Sequence, residues 1–268
     1  MNHMETSMQK ENKRKSNQVE YLELNGARQC ISIRADTSDL PLLLYLHGGP
    51  GDAALPLVSK YNKSLETYFT VVVWEQRGAG KSYYDFGSAQ IGIETFVEDA
   101  VSLIRKLLKR FGQEKLYLAG HSWGSVLGLK IIQSYPDLVH TYIGCGQVVK
   151  YKGSLYGKKN YNSMIKDFVF SSDYNLKELI NRQKGSYQAI KYLWPELMTV
   201  DFTAVTHYEV PVVFVEGRYD YHVSSELVKE YYDALQSPKQ FYWFEQSCHF
   251  PQWSEAEKFT DVMKAVLK

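Results

Sequence analysis

The run Leu116-Tyr117-Leu118-Ala119-Gly120-His121-Ser122-Trp123-Gly124-Ser125-Val126 decides the reading of this chain. Its first four residues have the apolar texture of a buried strand, and the residues from Val126 onward carry a helical pattern. The G-x-S-x-G segment between them therefore falls on a strand-turn-helix junction, the setting a nucleophile elbow requires. Small residues at Gly120 and Gly124 let the backbone turn sharply and lift the Ser122 hydroxyl clear of the sheet. The five residues alone fit a tight turn with a solvated serine equally well. Their setting favours Ser122 as a nucleophile.

Outward from the elbow, strand and helix alternate. Residues 42–46 and 71–74 are short continuous apolar runs, as expected of parallel strands covered on both faces, with a helix over 56–68 between them. In 94–111, apolar residues recur at spacings of three and four from Phe96 and Val97 through Ala100, Val101, Ile104, Leu107 and Leu108 to Phe111, and Gly112 is the stop signal. A helix over 126–135 and a strand over 141–145 continue the series. Upstream, 19–24 and 28–33 alternate apolar and polar residues around Asn25-Gly26, a strong hairpin signal. The expectation is a mostly parallel, doubly wound sheet with an N-terminal antiparallel hairpin and helices on both faces.

The alternation breaks over 146–210, where polar, tyrosine-rich segments have helical spacing. Within it, Asp173 is expected to cap a helix that runs to about Lys184 and is closed by Gly185. Strand and helix then resume with 212–215, 224–235, 241–244 and 255–267. This divides the chain into a polar tail over 1–18, a core made of 19–145 and 211–268, and a small helical lid over 146–210.

Bulk properties exclude several classes of function. With 31 basic and 30 acidic residues and a net charge of +1, no overall field attracts nucleic acid or an anionic membrane, so the expected partner is a small molecule or a short peptide. Hydrophobic residues at 44% and charged residues at 23% describe a folded, water-soluble chain. Cys30, Cys145 and Cys248 are odd in number and widely spaced, with neither a disulfide framework nor a paired metal spacing. The first 18 residues lack the apolar run of a signal peptide or spanning helix, so a cytoplasmic location is expected.

A serine on such an elbow needs a base, and the base needs an orienting acid, in the chain order Ser, acid, His. Among the late histidines, His222 sits too near any plausible acid both to pair with it and to reach back to Ser122. His249, in the loop after the strand 241–244, is the better base. Asp220, presented beyond the strand 212–215 by a turn at Gly217, is the favoured acid, with Glu216 its competitor. Negative charge developing on a substrate oxygen calls for two N–H donors. The backbone of Trp123 supplies one, and that of Gly49, in the glycine-rich loop His47-Gly48-Gly49-Pro50-Gly51, the other. No metal or organic cofactor is needed.

These motifs, together with Trp74-Glu75-Gln76-Arg77-Gly78-Ala79-Gly80-Lys81-Ser82 and Gly217-Arg218-Tyr219-Asp220, resemble the proline iminopeptidase branch of the α/β-hydrolases over about residues 41–145 and again from about 192 to the C-terminus. The resemblance implies an α/β-hydrolase fold, Ser122, Asp220 and His249 as a catalytic triad, Gly49 and Trp123 as oxyanion donors, and structural roles for Glu75 and Arg77. Three departures stand out. The lid is shorter than the helical cap of that branch, Tyr221 replaces an acidic residue often found after the triad aspartate, and His121 precedes the nucleophile. Trp194, Glu178, Glu196 and Asp173 are candidates for an aromatic and acidic pocket, with Trp194 also readable as lid core.

The readings that follow are a serine hydrolase of small amides or esters, of proline iminopeptidase type or esterase-like, and, from another class, a ligand-binding member without catalysis. Gly80-Lys81-Ser82 looks like the end of a phosphate loop, but Glu75 stands where that motif needs glycine, and its carboxylate would repel phosphate.

Overall fold

In the computed structural model, which describes residues 16–151 and 161–267, β1 (Ser16–Leu24) and β2 (Ala27–Ala35) pair antiparallel across Asn25-Gly26. Both turn residues have positive φ, 45° and 75°, which a two-residue hairpin demands and Asn and Gly tolerate. The chain continues through β3 (Leu42–Leu46), α1 (Leu55–Tyr61), β4 (Thr70–Glu75), α2 (Ile93–Phe111), β5 (Leu116–His121), α3 (Trp123–Ser134) and β6 (Val139–Cys145). After β6 come α4 (Tyr161–Val169) and α5 (Leu176–Leu197), then β7 (Val212–Gly217), α6 (Ser225–Ala234), β8 (Lys239–Phe244), α7 (Pro251–Ser254) and α8 (Ala256–Ala265).

The eight strands form one sheet in the order β1-β2-β4-β3-β5-β6-β7-β8. β2 runs antiparallel to both neighbours, and every pairing from β4 to β8 is parallel. The winding reverses at β3, which has β4 on one side and β5 on the other. Such a reversal opens a crevice at the carboxyl ends of the strands, where α/β sheets place their ligands.

The apolar texture of the strands follows from burial on both faces. Leu42, Leu44 and Leu46 of β3 pack with Phe96, Ile104 and Val126 from α2 and α3, whereas Leu43 and Tyr45 join Leu57 and Val58 of α1 and Phe259 of α8 on the opposite face. The periodic residues of α2 are buried as their spacing requires, and the helix ends at Gly112 in the left-handed conformation, φ 63°.

Differences from the sequence expectation cluster in the segment before β7. Asp173 is not the cap of α5. That place belongs to Asn175, whose side chain accepts from Glu178 N at 3.1 Å while Glu178 accepts back from Asn175 N at 2.6 Å, a reciprocal capping box. Asp173 pairs instead with Arg34 at 2.5 Å. Gly185 does not close the helix but lies inside its 22 residues. A side chain there would collide with the carbonyl oxygen of Gly78, and one on Gly51 would come within 2.5 Å of Gly185 O, so this glycine exists to let α5 lie directly on two core loops. β1 begins at Ser16, inside the stretch read as a tail; residues 1–15 of that tail and 152–160 of the expected lid lie outside the described residues. Among the described residues, no helix is long and apolar enough to cross a membrane.

Candidate active site

The loops that leave the carboxyl ends of β3, β5, β7 and β8 converge, and they carry Gly49, Ser122, Asp220 and His249 respectively. Ser122 is the residue between β5 and α3, with φ 51° and ψ −116°. A non-glycine residue holds such a backbone only where its surroundings enforce it. Here Ser122 N donates to Cys145 O at 3.0 Å, and Ser125 returns two bonds to Ser122 O, from its amide at 2.8 Å and its hydroxyl at 2.5 Å. Gly120 and Gly124 permit the turn because a Cβ on Gly120 would come within 2.5 Å of Gly124 O and one on Gly124 would strike Leu46 O.

His249 and Asp220 are joined, Nδ1 to Oδ2, at 2.8 Å, and both are buried. Asp220 Oδ1 accepts from the amides of His222 at 2.8 Å and Val223 at 3.2 Å. Burial pushes the Asp220 carboxyl up, but the neighbouring His249, its hydrogen bond and the two amides outweigh this and hold it below the usual carboxylate range. Glu216, the competing acid, lies within β7 and is fully buried; burial raises its pKa well above the ordinary value, and its Oε1 accepts from Gln147 N at 2.8 Å. Asp220 is bonded to His249 whereas Glu216 is bonded to Gln147, which separates the two candidates by geometry.

The loops bearing Asp220 and His249 are laced together by Tyr219 N to Ser247 O at 3.0 Å and Arg218 N to Phe244 O at 3.0 Å. Gly217 is needed there because a side chain would run into Cys248 O. Glu255, between α7 and α8, accepts from Gln246 N at 3.0 Å and from Ser247 Oγ at 2.7 Å. It thereby braces the loop just before His249 and stands at the N-cap position of α8, where the helix expected over 255–267 begins.

Ser122 and His249 share the wall of one cavity of about 250 Å³ with Gly49 and Trp123, the two residues expected to donate to an oxyanion. Among the described residues no hydrogen bond yet joins Ser122 Oγ to the imidazole, a contact that in unliganded hydrolases often tightens only when substrate is bound. Apolar groups of Val148, Ile190, Leu197, Val223 and Phe250 form much of the remaining wall, and Asp52 is its one carboxylate among the described residues.

Sequence reading missed several supports of this arrangement. His121 Nε2 bonds His249 O at 2.8 Å, and burial drops the His121 pKa to about 3, so this neutral ring positions the backbone of the candidate base. Gln76 ties two loops: its amide donates to His47 Nε2 at 3.1 Å, its side-chain amide donates to His47 O at 2.9 Å, and its Oε1 accepts from the Trp123 indole at 2.8 Å. His47, with its pKa lowered to about 4 by burial, is thus the neutral tautomer with the proton on Nδ1, directed at Gly48 O. His222, set aside as a base, stacks on His249 at 4.7 Å. The ligand atoms of Asp220, His222 and His249 lie within 4.8 Å of one another, close enough for a cation, but the Asp220–His249 bond already uses two of them.

The acidic pocket expected from Asp173, Glu178 and Glu196 does not assemble. Asp173 pairs with Arg34, Glu178 with Lys81 at 2.5 Å, and Glu196 accepts from Ile93 N at 2.7 Å at the start of α2. Trp194 is 40% exposed and meets Tyr151 edge-on, so it is not lid core. Glu75 and Arg77 are structural. Glu75 is buried, with its pKa raised to about 7 by that burial, and accepts from Tyr174 Oη and from Lys81 N; Arg77 grips both oxygens of Asp99 at 2.7 and 2.8 Å.

Comparison with known proteins agrees with this fold. Residues 41–155 match the family model described as alpha/beta hydrolase fold. Over 300 residues the chain is 31% identical to the probable aminopeptidase YbaC of Bacillus subtilis (strain 168), covering 91% of this chain and 94% of that protein. It is 23% identical over 284 residues to a proline iminopeptidase of Heyndrickxia coagulans, covering 91% and 96%. Among solved structures, a proline iminopeptidase-related protein of Thermus thermophilus superposes with a TM-score of 0.68 at 20% identity, over 94% of this chain and 97% of that one.

Proposed function

We propose, from the premise that this chain belongs to the α/β-hydrolase family, that it is a serine hydrolase working through an acyl-enzyme on Ser122, with aminoacyl amides as its substrates. The observation that carries this is the strained Ser122 facing the same cavity as a histidine whose far nitrogen is already bonded to a charged, buried aspartate. In the reaction, Ser122 Oγ attacks the substrate carbonyl carbon while His249 Nε2 takes the hydroxyl proton, and Asp220 holds the imidazole tautomer and stabilises the imidazolium. The N–H groups of Gly49 and Trp123 receive the oxyanion. Collapse of the tetrahedral intermediate breaks the bond to the leaving nitrogen, which takes the proton from His249. Water, deprotonated by the same ring, then releases the acid and restores Ser122.

Within the segment before β7, α5 serves as the lid on the core, seated against Gly51 and Gly78. The amide preference rests on the relatives named as aminopeptidases. A second reading, an esterase of small acyl groups, is favoured by the engagement of Asp173, Glu178 and Glu196 away from the cavity. A panel of prolyl and other aminoacyl arylamides against short-chain acyl esters separates the two. Arylamide turnover that disappears when the amine is blocked is the expected result; turnover of esters alone would assign the protein to the second reading.

A further inference from the structure

With the lid acids engaged elsewhere, the cavity retains one carboxylate. Asp52 stands at the end of the glycine-rich loop after β3, and its amide donates to Gly48 O at 3.2 Å. Its Cβ lies 3.0 Å from where a side chain on Gly49 would begin, so the carboxylate is anchored beside the candidate oxyanion donor. Arg182 of α5 forms an ion pair with Asp52 Oδ1 and also donates from Nε to Ala53 O at 3.0 Å. The guanidinium lies against the Phe168 ring at 4.0 Å, and its side chain is only 10% exposed against 24% for Asp52. Among the described residues, Asp52 and not its arginine is one of the residues that line the cavity.

Position and chemistry both matter here. In an aminoacyl group the amine nitrogen stands about 2.5 Å from the carbonyl carbon, so whatever receives the amine must lie next to whatever receives the oxyanion. An ammonium that reaches the Asp52 carboxylate would join the Arg182 pair through a charged hydrogen bond, and a bond of this kind is worth roughly twice a neutral one. Val148, Ile190, Leu197 and Val223 give the wall an aliphatic part beside its aromatic and histidine rings. At about 250 Å³ the cavity is smaller than the ~300–1,000 Å³ that drug-sized ligands occupy, and suits one small residue.

We propose that Asp52, held by Arg182, receives the α-ammonium of substrates that carry a small aliphatic N-terminal residue. This rests on the aminoacyl hydrolase reading above, and it makes Asp52 a specificity-determining group.

The test compares alanyl with propionyl para-nitroanilide, which differ only in the amine, and uses para-nitrophenyl propionate as a measure of the acyl-transfer machinery alone. The intact protein should prefer the alanyl compound. In Asp52→Asn the ratio of kcat/KM for the alanyl over the propionyl compound should fall at least about tenfold, mainly through KM, the loss expected for one charge-assisted hydrogen bond. Asp52→Glu should recover part of it. Taking a ratio within each variant removes any general damage from loosening the Arg182 pair.

A second arm needs no variant. KM for the alanyl compound should rise above about pH 8 as the substrate amine loses its proton, while that for the ester does not. The titratable and charged groups around Asp52 are Arg182 from α5, His47 from its own loop, and His121, His222 and His249, which line the same cavity; the ester, measured in parallel, reports their effect on acyl transfer. A ratio unchanged by Asp52→Asn, or a KM without this pH dependence, overturns the assignment. Failure of the intact protein to turn over even the ester contradicts the underlying hydrolase reading instead.

Discussion

At the scale of single residues, the site depends on which of two neighbouring carboxyls meets the imidazole of His249. Asp220 and Glu216 are four positions apart, both buried, yet Asp220 bonds His249 and two backbone amides, which hold its pKa down, while Glu216 accepts from Gln147 N and burial holds its pKa up. Asp220→Asn should therefore lower kcat by about ten-thousandfold with the fold intact, because the amide stabilises the wrong imidazole tautomer and no imidazolium. Glu216→Gln, which keeps the acceptor for Gln147 N, should change kcat by less than about tenfold. Steady-state kinetics on the same ester decides it; a reversal of the two effects would make Glu216 the orienting acid. His121 and His47, with pKa values near 3 and 4, remain neutral across the working range and add no titration of their own.

At the scale of elements, α5 shows where sequence reading succeeds and where it stops. Elements whose register is set by local pattern were legible: the hairpin at Asn25-Gly26, the stripe of α2 ending at Gly112, and the apolar strands that bring four loops to one edge. Gly185 was not, because the reason for a glycine there is a contact with Gly51 and Gly78, more than a hundred positions away in the chain. The pairing of Asp173 with Arg34 is equally non-local, and it took that residue from the cap position its type favours. Asp52 carried a usable signal, since it directly ends the glycine-rich loop expected to hold an oxyanion donor. Ser186 and Ile190 are one helical turn apart on α5 and both face the cavity, but nothing local distinguishes that face of the helix. Because α5 is seated this closely, Gly185→Ala should destabilise the protein by roughly 1–3 kcal/mol, an overpacking cost. Urea unfolding measures it, and an unchanged midpoint would mean that α5 does not rest on Gly78.

At the scale of the whole molecule, the winding of the sheet does what no single element can. Loops from four parallel strands reach one crevice, and side-chain pairs tie the segment before β7 to the core, among them Asp167 with Lys60 and Tyr61, Asp173 with Arg34, Tyr174 with Glu75, Glu178 with Lys81, and Arg182 with Asp52. Helix α5 and the glycine-rich loop after β3 are thereby joined through Arg182, and the near-neutral charge leaves substrate choice to the cavity wall. The proposed chemistry centres on the hydroxyl of Ser122. Treatment with a fluorophosphonate probe, followed by mapping of the modified peptide, should place a single covalent adduct on Ser122. Folded Ser122→Ala should show neither labelling nor ester turnover. Labelling and turnover that persist in that variant would contradict the account.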